Sequence, residues 1–405
     1  MNIIDIIRFD EDKELSMVGG KVIGEGGYGC VLKPSLTCKG KEMKTKKFIT
    51  KIQVENSTSR REIKIGEKVK KIPLSKKYFA PIISSCDYKH KVVEMVSKKY
   101  DCSFFSKYPN KKFTISRLPY INGDDYKKYL HSNMDDDKYL YSIIHGYSYL
   151  LFSLYMLNKY GIIHYDIKGE NIMYNKALDI PIVIDFGLSI IKKDIEPAFN
   201  DPDYIKRLST YFYTYAPDYS LWCLDAHYLC FIINHPNSNV KNEIQNMVNL
   251  YMQNNKSFRY LSDEMYDIFK NLSIKQLHKY ANMGTKESIK YILSYCDTWD
   301  NYSLSIMFMR ILNTLKVENS KFLQAFQMLL EINIHPEPKE RLSLSKTHDK
   351  IIKYLNNNIN EMNIFQNIIN DINKNKTEIK NELKKQMKYD EVISHKMYII
   401  KNQQK

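Results

Sequence analysis

Short runs of β-branched and aromatic residues characterise the first 116 residues of the chain. Residues 21–23, 30–32 and 48–52 predict three β-strands. A Lys-rich loop, residues 33–47, separates the second strand from the third. Residues 58–71 are rich in Glu and Lys, with isoleucines among them, and this pattern predicts one helix. The N-terminal part is therefore predicted to be small and rich in β-structure.

From about residue 135 the apolar residues recur at helical spacing. Ile143, Tyr147, Leu150 and Leu154 follow one another at intervals of three or four, and the pattern stops at Gly161. This stripe predicts a long helix that packs in a core. Residues 219–299 also read as helical and contain no recognised chemical motif.

The C-terminal part has a second stripe. Apolar residues between Ile351 and Ile372 step by three or four and predict a single amphipathic helix, which must pack on another surface. Residues 351–405 are therefore interpreted as a helical tail.

Composition favours a globular protein outside the membrane. The chain has 405 residues, of which 43% are hydrophobic and 26% charged, enough for one large domain or two lobes. No apolar run reaches the length of a membrane span, and no secretory signal is evident. Seven cysteines without CxxC spacing favour reduced thiols over disulfide bonds or a zinc site, so we expect a cytoplasmic protein.

Positive charge is concentrated in one stretch. The net charge is +15, and residues 39–77 hold 14 Lys/Arg against 4 Glu. Such a stretch can attract an acidic partner, or it can simply be a solvated basic face. No motif for specific nucleic-acid binding accompanies it.

A glycine-rich motif lies between the first two predicted strands. Residues 24–31 fit the pattern Gly-x-Gly-x-x-Gly-x-Val. Glycines let backbone N–H groups approach phosphate oxygens, because no Cβ stands in the way. A dinucleotide-binding fold needs a helix directly afterwards, whereas a strand and a proline follow here. The residues predicted to contact a nucleotide are Ile23, Gly24, Gly26, Gly29 and Val31.

Two polar motifs lie further along the chain. Residues 163–171 read Ile-His-Tyr-Asp-Ile-Lys-Gly-Glu-Asn, and residues 184–187 read Ile-Asp-Phe-Gly. Together with the glycine loop and Lys51 in the third strand, they resemble the eukaryotic-type protein kinase family over roughly residues 18–345. The lysine two residues after Asp166 is similar to that of the Ser/Thr branch.

The resemblance implies an α+β, bilobal protein kinase-like fold. Residues 1–116 would form a small β-rich N-lobe, and residues 117–350 a larger helical C-lobe with an insertion at 219–299. The implied activity is transfer of the γ-phosphoryl group of ATP, with Mg²⁺, to Ser or Thr hydroxyls of proteins.

The resemblance also implies catalytic roles. Asp166 would accept the proton of the acceptor hydroxyl, and Lys168 would neutralise charge on the transferred group. Asn171 and Asp185 would bind Mg²⁺. Lys51 would bridge the α- and β-phosphates.

Lys51 requires a carboxylate to hold its ammonium group in place. Glu62 is favoured by its register with apolar residues of the same predicted helix. Glu67 is the alternative, and it lies about 1.4 turns further on, so both cannot point at Lys51.

Residues 115–125 resemble the kinase hinge, the strand between the two lobes. Pro119 would offer its carbonyl group to adenine, and Ile121 its N–H. Asp124 or Asp125 would bind the ribose, and Asp125 is preferred.

Three late motifs complete the resemblance. The acid of Ala-Pro-Asp218 would pair with Arg341, in a buried contact that closes the activation segment. Asp300 resembles the buried anchor of the catalytic loop, with Asp225 as its rival. We therefore expect Asp300→Ala to destabilise the chain more than Asp225→Ala.

One departure from the family concerns Tyr165, which stands where an Arg usually docks an activating phosphate. An enzyme active without that phosphate is expected. The Tyr, Lys and Asn bias and residues 72–81 resemble kinases of large DNA viruses, which would place the chain in the host cytoplasm or the virion.

Two rival functions remain. One is a pseudokinase that binds nucleotide as a scaffold, although Lys51, Asp166 and Asp185 are all retained. The other is a small-molecule phosphotransferase of similar fold, although the Ala-Pro-Asp closure favours a protein substrate.

Overall fold

The computed structural model describes residues 21–26, 29–88, 99–100, 102, 104, 108, 111–134, 139–315, 320–358 and 362–403. Contacts divide the chain into two compact units. The first comprises Met1–Val54 with Ser85–Arg117, and the second Glu55–Ser84 with Leu118–Lys405. The architecture is α+β, with a small sheet near the N-terminus and a mainly helical C-terminal part.

The first unit is built on a five-stranded sheet of order β1-β2-β3-β5-β4. The strands are β1 (Lys21–Gly26), β2 (Gly29–Lys33), β3 (Phe48–Val54), β4 (Ser84–Tyr88) and β5 (Phe113–Pro119). β2 pairs antiparallel with both β1 and β3, and Val31 lies opposite Lys51 in the second pairing. The three strands expected from the sequence are confirmed.

The sheet forms its own core, and four cysteines of this unit take part in disulfide bonds. Cys30 is joined to Cys102 and Cys38 to Cys86. The expectation of reduced thiols is wrong for these four, because the fold of the first unit brings together cysteines 72 and 48 residues apart in sequence. Cys spacing along the chain cannot reveal such pairs. The free cysteines of the second unit are Cys223, Cys230 and Cys296, all buried.

The second unit begins with α1 (Ser57–Val69), close to the predicted helix at 58–71. Asn56 and Ser59 form a reciprocal capping box at its start, which satisfies two backbone N–H groups. Its buried face includes Glu62, Ile65 and Val69. A buried carboxylate among aliphatic residues is costly unless it has polar partners. The burial of Glu62 therefore indicates that its carboxylate contacts polar groups.

Helices make up most of the second unit. After α1 they are α2 (Ser75–Tyr78), α3 (Tyr126–Ser132), α4 (Tyr139–Lys159), α5 (Lys192–Ile195), α6 (Tyr204–Ser209), α7 (Leu224–Asn234), α8 (Ile244–Asn254), α9 (Asp263–Ala281), α10 (Thr285–Ser294), α11 (Trp299–Thr314), α12 (Lys321–Asn333), α13 (Leu344–Asn358), α14 (Met362–Lys374) and α15 (Lys376–Gln403). Two short ribbons interrupt them, one pairing β6 (Ile162–Ile163) with β9 (Ile190–Ile191) and one pairing β7 (Ile172–Asn175) with β8 (Ile180–Val183).

The centre of this unit is α11. Every residue from Trp299 to Leu312 is buried, and a helix that is buried on all sides must lie inside a core. α4, whose predicted apolar stripe is confirmed, and α12 both pack against it. The polar residues on α11 therefore need partners within the protein.

The C-terminal stripe belongs to more than one helix. α13 packs on α4 and on α12, while α14 follows after residues 359–361, which lie outside the described part of the chain. α15 then packs against α3 and α11. Within the described ranges, no helix is both long and apolar enough to cross a membrane.

Candidate active site

The two short ribbons frame both polar motifs. β6 leads into residues 164–171 and β7 leaves them, while β8 leads into residues 184–189 and β9 leaves those. Because β6 pairs with β9 and β7 with β8, the two loops lie side by side. The N–H of Ile184 donates to the carbonyl of Asn171 at 2.9 Å and joins the loops directly.

Asp300 anchors the loop of residues 164–171 through its backbone. Its two carboxylate oxygens accept the N–H groups of His164, at 2.7 Å, and Tyr165, at 2.8 Å. Burial raises the pKa of Asp300, and these N–H donors oppose that rise. Asp300, rather than Asp225, is therefore the acid that anchors this loop.

Tyr165 is locked into the core. Its φ of 65° lies in the left-handed region, unusual for a residue with a side chain. Its ring stacks on Trp222 with centroids 4.6 Å apart, and the indole N–H of Trp222 donates to the Tyr165 carbonyl at 2.7 Å. Burial raises the pKa of Tyr165 above its usual value, so the hydroxyl stays neutral. An aromatic stack with Trp222 therefore stands at the position where the family resemblance would place an arginine.

The carboxylate of Asp166 lies among donors. Asn171 donates its amide N–H to Asp166 Oδ2 at 3.1 Å and to the Asp166 carbonyl at 2.8 Å. Lys168 Nζ lies 3.4 Å from the same Oδ2, and the hydroxyl of Tyr219 donates to Oδ1 at 3.3 Å. These contacts fix the carboxylate in a single orientation.

Lys168 keeps its positive charge although it is buried. Burial alone lowers the pKa of a lysine, but the carboxylates of Asp166 and Glu170 raise the pKa of Lys168 above its usual value. An ammonium group beside Asp166 can neutralise negative charge that develops there.

The second loop contains Asp185, Phe186 and Gly187. Asp185 has a positive φ of 58°, and its Oδ1 accepts the N–H of Gly187 at 3.3 Å. The Phe186 ring is buried between Phe79 and His164, with centroids 6.2 and 5.2 Å away. Phe186 therefore packs inward, away from the polar side of the loop.

Glu62 lies near this second loop. A Cβ added to Gly187 would lie 3.9 Å from Glu62 Oε2 and 3.3 Å from Asp185 Oδ1. Glu67, the alternative, is mostly exposed and forms an ion pair with Lys70 at 2.6 Å. Between the two glutamates, the structure therefore places Glu62 beside the polar loops and Glu67 at the surface.

The residues of the glycine-rich motif and Lys51 belong to the first unit. Gly29 has a φ of 150°, and a Cβ there would lie 1.8 Å from the Ile52 carbonyl, so only glycine fits. Lys51 is buried in β3. Gly24 lies opposite Val31 and Gly26 opposite Gly29, while Ile23 is exposed at an irregularity of β1. Gly27 and Tyr28 lie outside the described residues.

The hinge-like residues have mixed roles. Asp125 caps α3, since its Oδ1 accepts the N–H of Lys128 at 3.0 Å. Asp124 pairs with Lys176 at 2.8 Å. Pro119 ends β5, and Ile121 follows in the connection to α3, both partly buried. Asp125 therefore has a structural task in addition to any ligand contact.

The expected pairing of Arg341 is wrong. Arg341 Nη1 lies 2.7 Å from Asp225 Oδ2, and both side chains are 1% exposed. Asp218 instead forms an ion pair with Lys396 of α15. Asp225 lies in the first turn of α7, inside the core, whereas Asp218 precedes that helix near the surface. Sequence alone could not rank two aspartates seven positions apart.

Neither a scan against models of known protein families nor a search of curated proteins finds a match to this chain. The family resemblance therefore rests on the sequence motifs alone.

Asn171 and Asp185 have the ligand chemistry that Mg²⁺ prefers. Asn171 uses its amide nitrogen on Asp166, which leaves the amide oxygen for a cation. Among the residues that the structure describes, no group of three or more His, Cys, Asp or Glu side chains could hold a metal. Two protein oxygens suffice for Mg²⁺ when phosphates and water supply the other ligands. The oxygens of Asn171 and Asp185 therefore fit a Mg²⁺ ion that is also bound by phosphates.

Sequence reasoning missed two residues of this site. Tyr219 donates to Asp166, and Trp222 donates to Tyr165. Neither residue has a spacing or motif that marks it, because both reach the loop from the segment before α7. The one available signal was the density of aromatic residues between 211 and 222.

Proposed function

We propose that this chain is an ATP- and Mg²⁺-dependent protein kinase that modifies Ser or Thr hydroxyls. The supporting observation is the Asp166 loop, held by Asp300 and joined through Asn171 to the loop of Asp185. This arrangement sets a fixed carboxylate, a charged lysine and two oxygen ligands side by side. Phosphoryl transfer needs positioning and charge neutralisation of this kind.

In this proposal Asp166 takes the proton of the acceptor hydroxyl while that oxygen bonds to phosphorus and the bond to the ADP oxygen breaks. Asn171 and Lys168 keep the Asp166 carboxylate oriented, because both contact its Oδ2. Lys168 also offsets negative charge on the transferred group. Mg²⁺ held by Asn171 and Asp185 would neutralise phosphate charge.

The proposed acceptor is a protein. Lys168 beside Asp166 supports the Ser/Thr branch, as the sequence resemblance implies. The retained Lys51, Asp166 and Asp185 support catalysis rather than a scaffold that only binds nucleotide.

The test is phosphate incorporation from γ-labelled ATP into a protein acceptor. Lys51→Met and Asp185→Asn should each remove nearly all transfer, and Asp166→Ala should lower it by about 10²–10⁴-fold, as loss of a positioned base does. The matched control is Asp203→Asn, because Asp203 is an exposed aspartate outside the loops of residues 164–171 and 184–189. Wild-type turnover in Asp185→Asn would refute the proposed mechanism.

A further inference from the structure

The C-terminal helix α15 is linked to the Asp166 loop through ion pairs. Asp390 of α15 accepts hydrogen bonds from Arg310, at 3.0 Å, and from Lys127. Lys127 Nζ also lies 3.5 Å from Glu170 Oε1, and its side chain packs against Gly169. Glu170 lies between Lys168 and Asn171, so α15 is two contacts away from the proposed catalytic residues.

α15 also lies beside Tyr219. Tyr389, Asp390 and Ile393 line a small cavity together with Glu170 and Tyr219. Since the Tyr219 hydroxyl donates to Asp166, the helix lies close to a residue that contacts the carboxylate.

Two ion pairs of α15 differ in burial. Asp390 and Arg310 are buried, with side chains 8% and 6% exposed. Further on, Lys396 pairs with Asp218 while more than half of the lysine side chain is exposed, and the neighbouring Met397 is buried. A pair with an exposed partner contributes less than a buried one, so the end of the helix after Asp390 has the weaker ion pair.

A polypeptide acceptor must bring its hydroxyl to Asp166. Lys168 and Asn171 line one oxygen of that carboxylate, and Tyr219 lines the other. Residues flanking an acceptor hydroxyl would therefore run over Glu170 and Tyr219, the surface that α15 covers.

We propose that α15 occupies the polypeptide-binding surface of the acceptor site and competes with protein acceptors. This surface consists of Lys127, Glu170, Asp218, Tyr219 and Arg310. The inference rests on the function proposed above, because it takes Asp166 as the point to which the acceptor hydroxyl comes.

The charges of the surface describe the polypeptide that fits it. Lys127 and Arg310 receive an acid, and Asp218 receives a cation six residues later in the helix. Six helical residues span about 9 Å. An extended chain covers that distance in about three residues, so the surface fits acceptors with an acid and a cation three positions apart.

The test weakens the contact at its exposed end in the full chain. Lys396→Glu faces Asp218 with a like charge, and the amides of residues 391–403 should exchange with deuterium about fivefold faster, given what an exposed pair contributes. The catalytic efficiency toward dephosphorylated casein should rise about as much, with the KM for ATP unchanged. Lys385→Glu is the control, because Lys385 is exposed on the same helix and pairs only with Glu382 of α15.

A second measurement needs no ATP. Saturating dephosphorylated casein added to the wild-type chain should accelerate exchange of the same amides, because acceptor and helix exclude one another. Faster exchange in Lys396→Glu with unchanged efficiency toward casein would overturn the inference while the proposed function stands. If no chain incorporates phosphate, the proposed function fails, and the response of the amides to casein alone then decides whether α15 covers a polypeptide site.

Discussion

Asp300 and Trp222 hold the turn at Tyr165 from two sides. Asp300 accepts backbone N–H groups of the turn, and Trp222 donates to its carbonyl group. A residue with positive φ costs conformational free energy and persists only where its surroundings determine it. The backbone of Asp166 is thereby fixed before any ligand arrives, which is preorganisation at the scale of a few hydrogen bonds.

Asp225 and Asp300 should both prove essential to stability, for different reasons. Asp225→Ala leaves the buried guanidinium of Arg341 without its carboxylate, which should cost about 3–5 kcal/mol. Asp300→Ala leaves two backbone N–H groups unpaired, at roughly 1–3 kcal/mol each. Because these two costs are of similar size, the sequence-based expectation that Asp225→Ala is the milder change no longer follows.

The melting temperatures of Asp225→Ala and Asp300→Ala compare these two stability costs. Activity gives a second distinction, because only Asp300 contacts the Asp166 loop. Asp300→Asn should lower the turnover of the folded enzyme by more than its loss of stability explains. A fall in the melting temperature with unchanged turnover would argue against the anchoring role of Asp300.

His227 should make stability depend on pH. It is buried, and burial lowers its pKa to about 4, although a hydrogen bond with the Tyr219 carbonyl opposes the shift. The unfolded chain binds a proton near pH 6.5 and the folded chain does not. The stability contribution is therefore complete above pH 6.5 and falls by roughly 3 kcal/mol as the pH approaches 4.

The measurement is the melting temperature of wild-type and His227→Gln chains between pH 4 and 7.5. The variant should lose part of the acid dependence in that window. His278→Gln, at an exposed position of α9, should not alter it. Identical profiles for wild-type and His227→Gln chains would contradict the argument.

At the scale of elements, residues 188–215 are tied to α1 by contacts that need no phosphate. Arg61 donates to the Thr210 carbonyl at 2.6 Å and lies over the Tyr211 ring. Lys64 pairs with Asp194 at 2.6 Å. The segment is thus held by cations that already have partners.

We expect full activity without phosphate on residues 188–215. Tyr165 cannot receive a phosphate as an arginine would. Ser189 is fully buried and donates to the His164 carbonyl, while Thr210 is exposed. Phosphatase treatment, checked by mass spectrometry, should leave initial rates unchanged. A large loss that returns on rephosphorylation would instead implicate Lys192, Lys193, Lys206 or Arg207 as phosphate-binding cations.

At the scale of the whole molecule, at least three of the 14 cations in the basic stretch 39–77 form ion pairs. Arg60 pairs with Glu55, Lys64 with Asp194 and Lys70 with Glu67. Recruitment of an acidic partner by this stretch therefore depends on its remaining lysines, and its proposed role is long-range attraction.

Salt tests that role. Activity on dephosphorylated casein, which is acidic, should fall more steeply with ionic strength than activity on a neutral peptide, because screening acts within about 10 Å at 0.1 M salt. Equal salt dependence for both acceptors would leave the stretch as a solvated basic face.

Local sequence patterns predicted several strands, helices and motif positions. The contacts between residues far apart in sequence could not be predicted in this way. The strands β1–β3, the helices α1 and α4 and the positions of Asp166, Asn171 and Asp185 could be inferred from spacing and motifs. The Arg341–Asp225 pair, Tyr219 beside Asp166 and the position of α15 depend on residues 53 to 263 positions apart in sequence. A single sequence contains no spacing rule for such contacts.

The disulfide bonds are confined to the first unit, whereas the described cysteines of the second are free and buried. A reductant therefore has chemical targets in one unit only. Loss of a cross-link that closes a long loop destabilises by about 2–4 kcal/mol, so reducing conditions should loosen the glycine-rich strands while the Asp166 loop keeps its anchors. The redox state of the surroundings would thus act on the stability of the first unit and leave the cross-linking of the second unchanged.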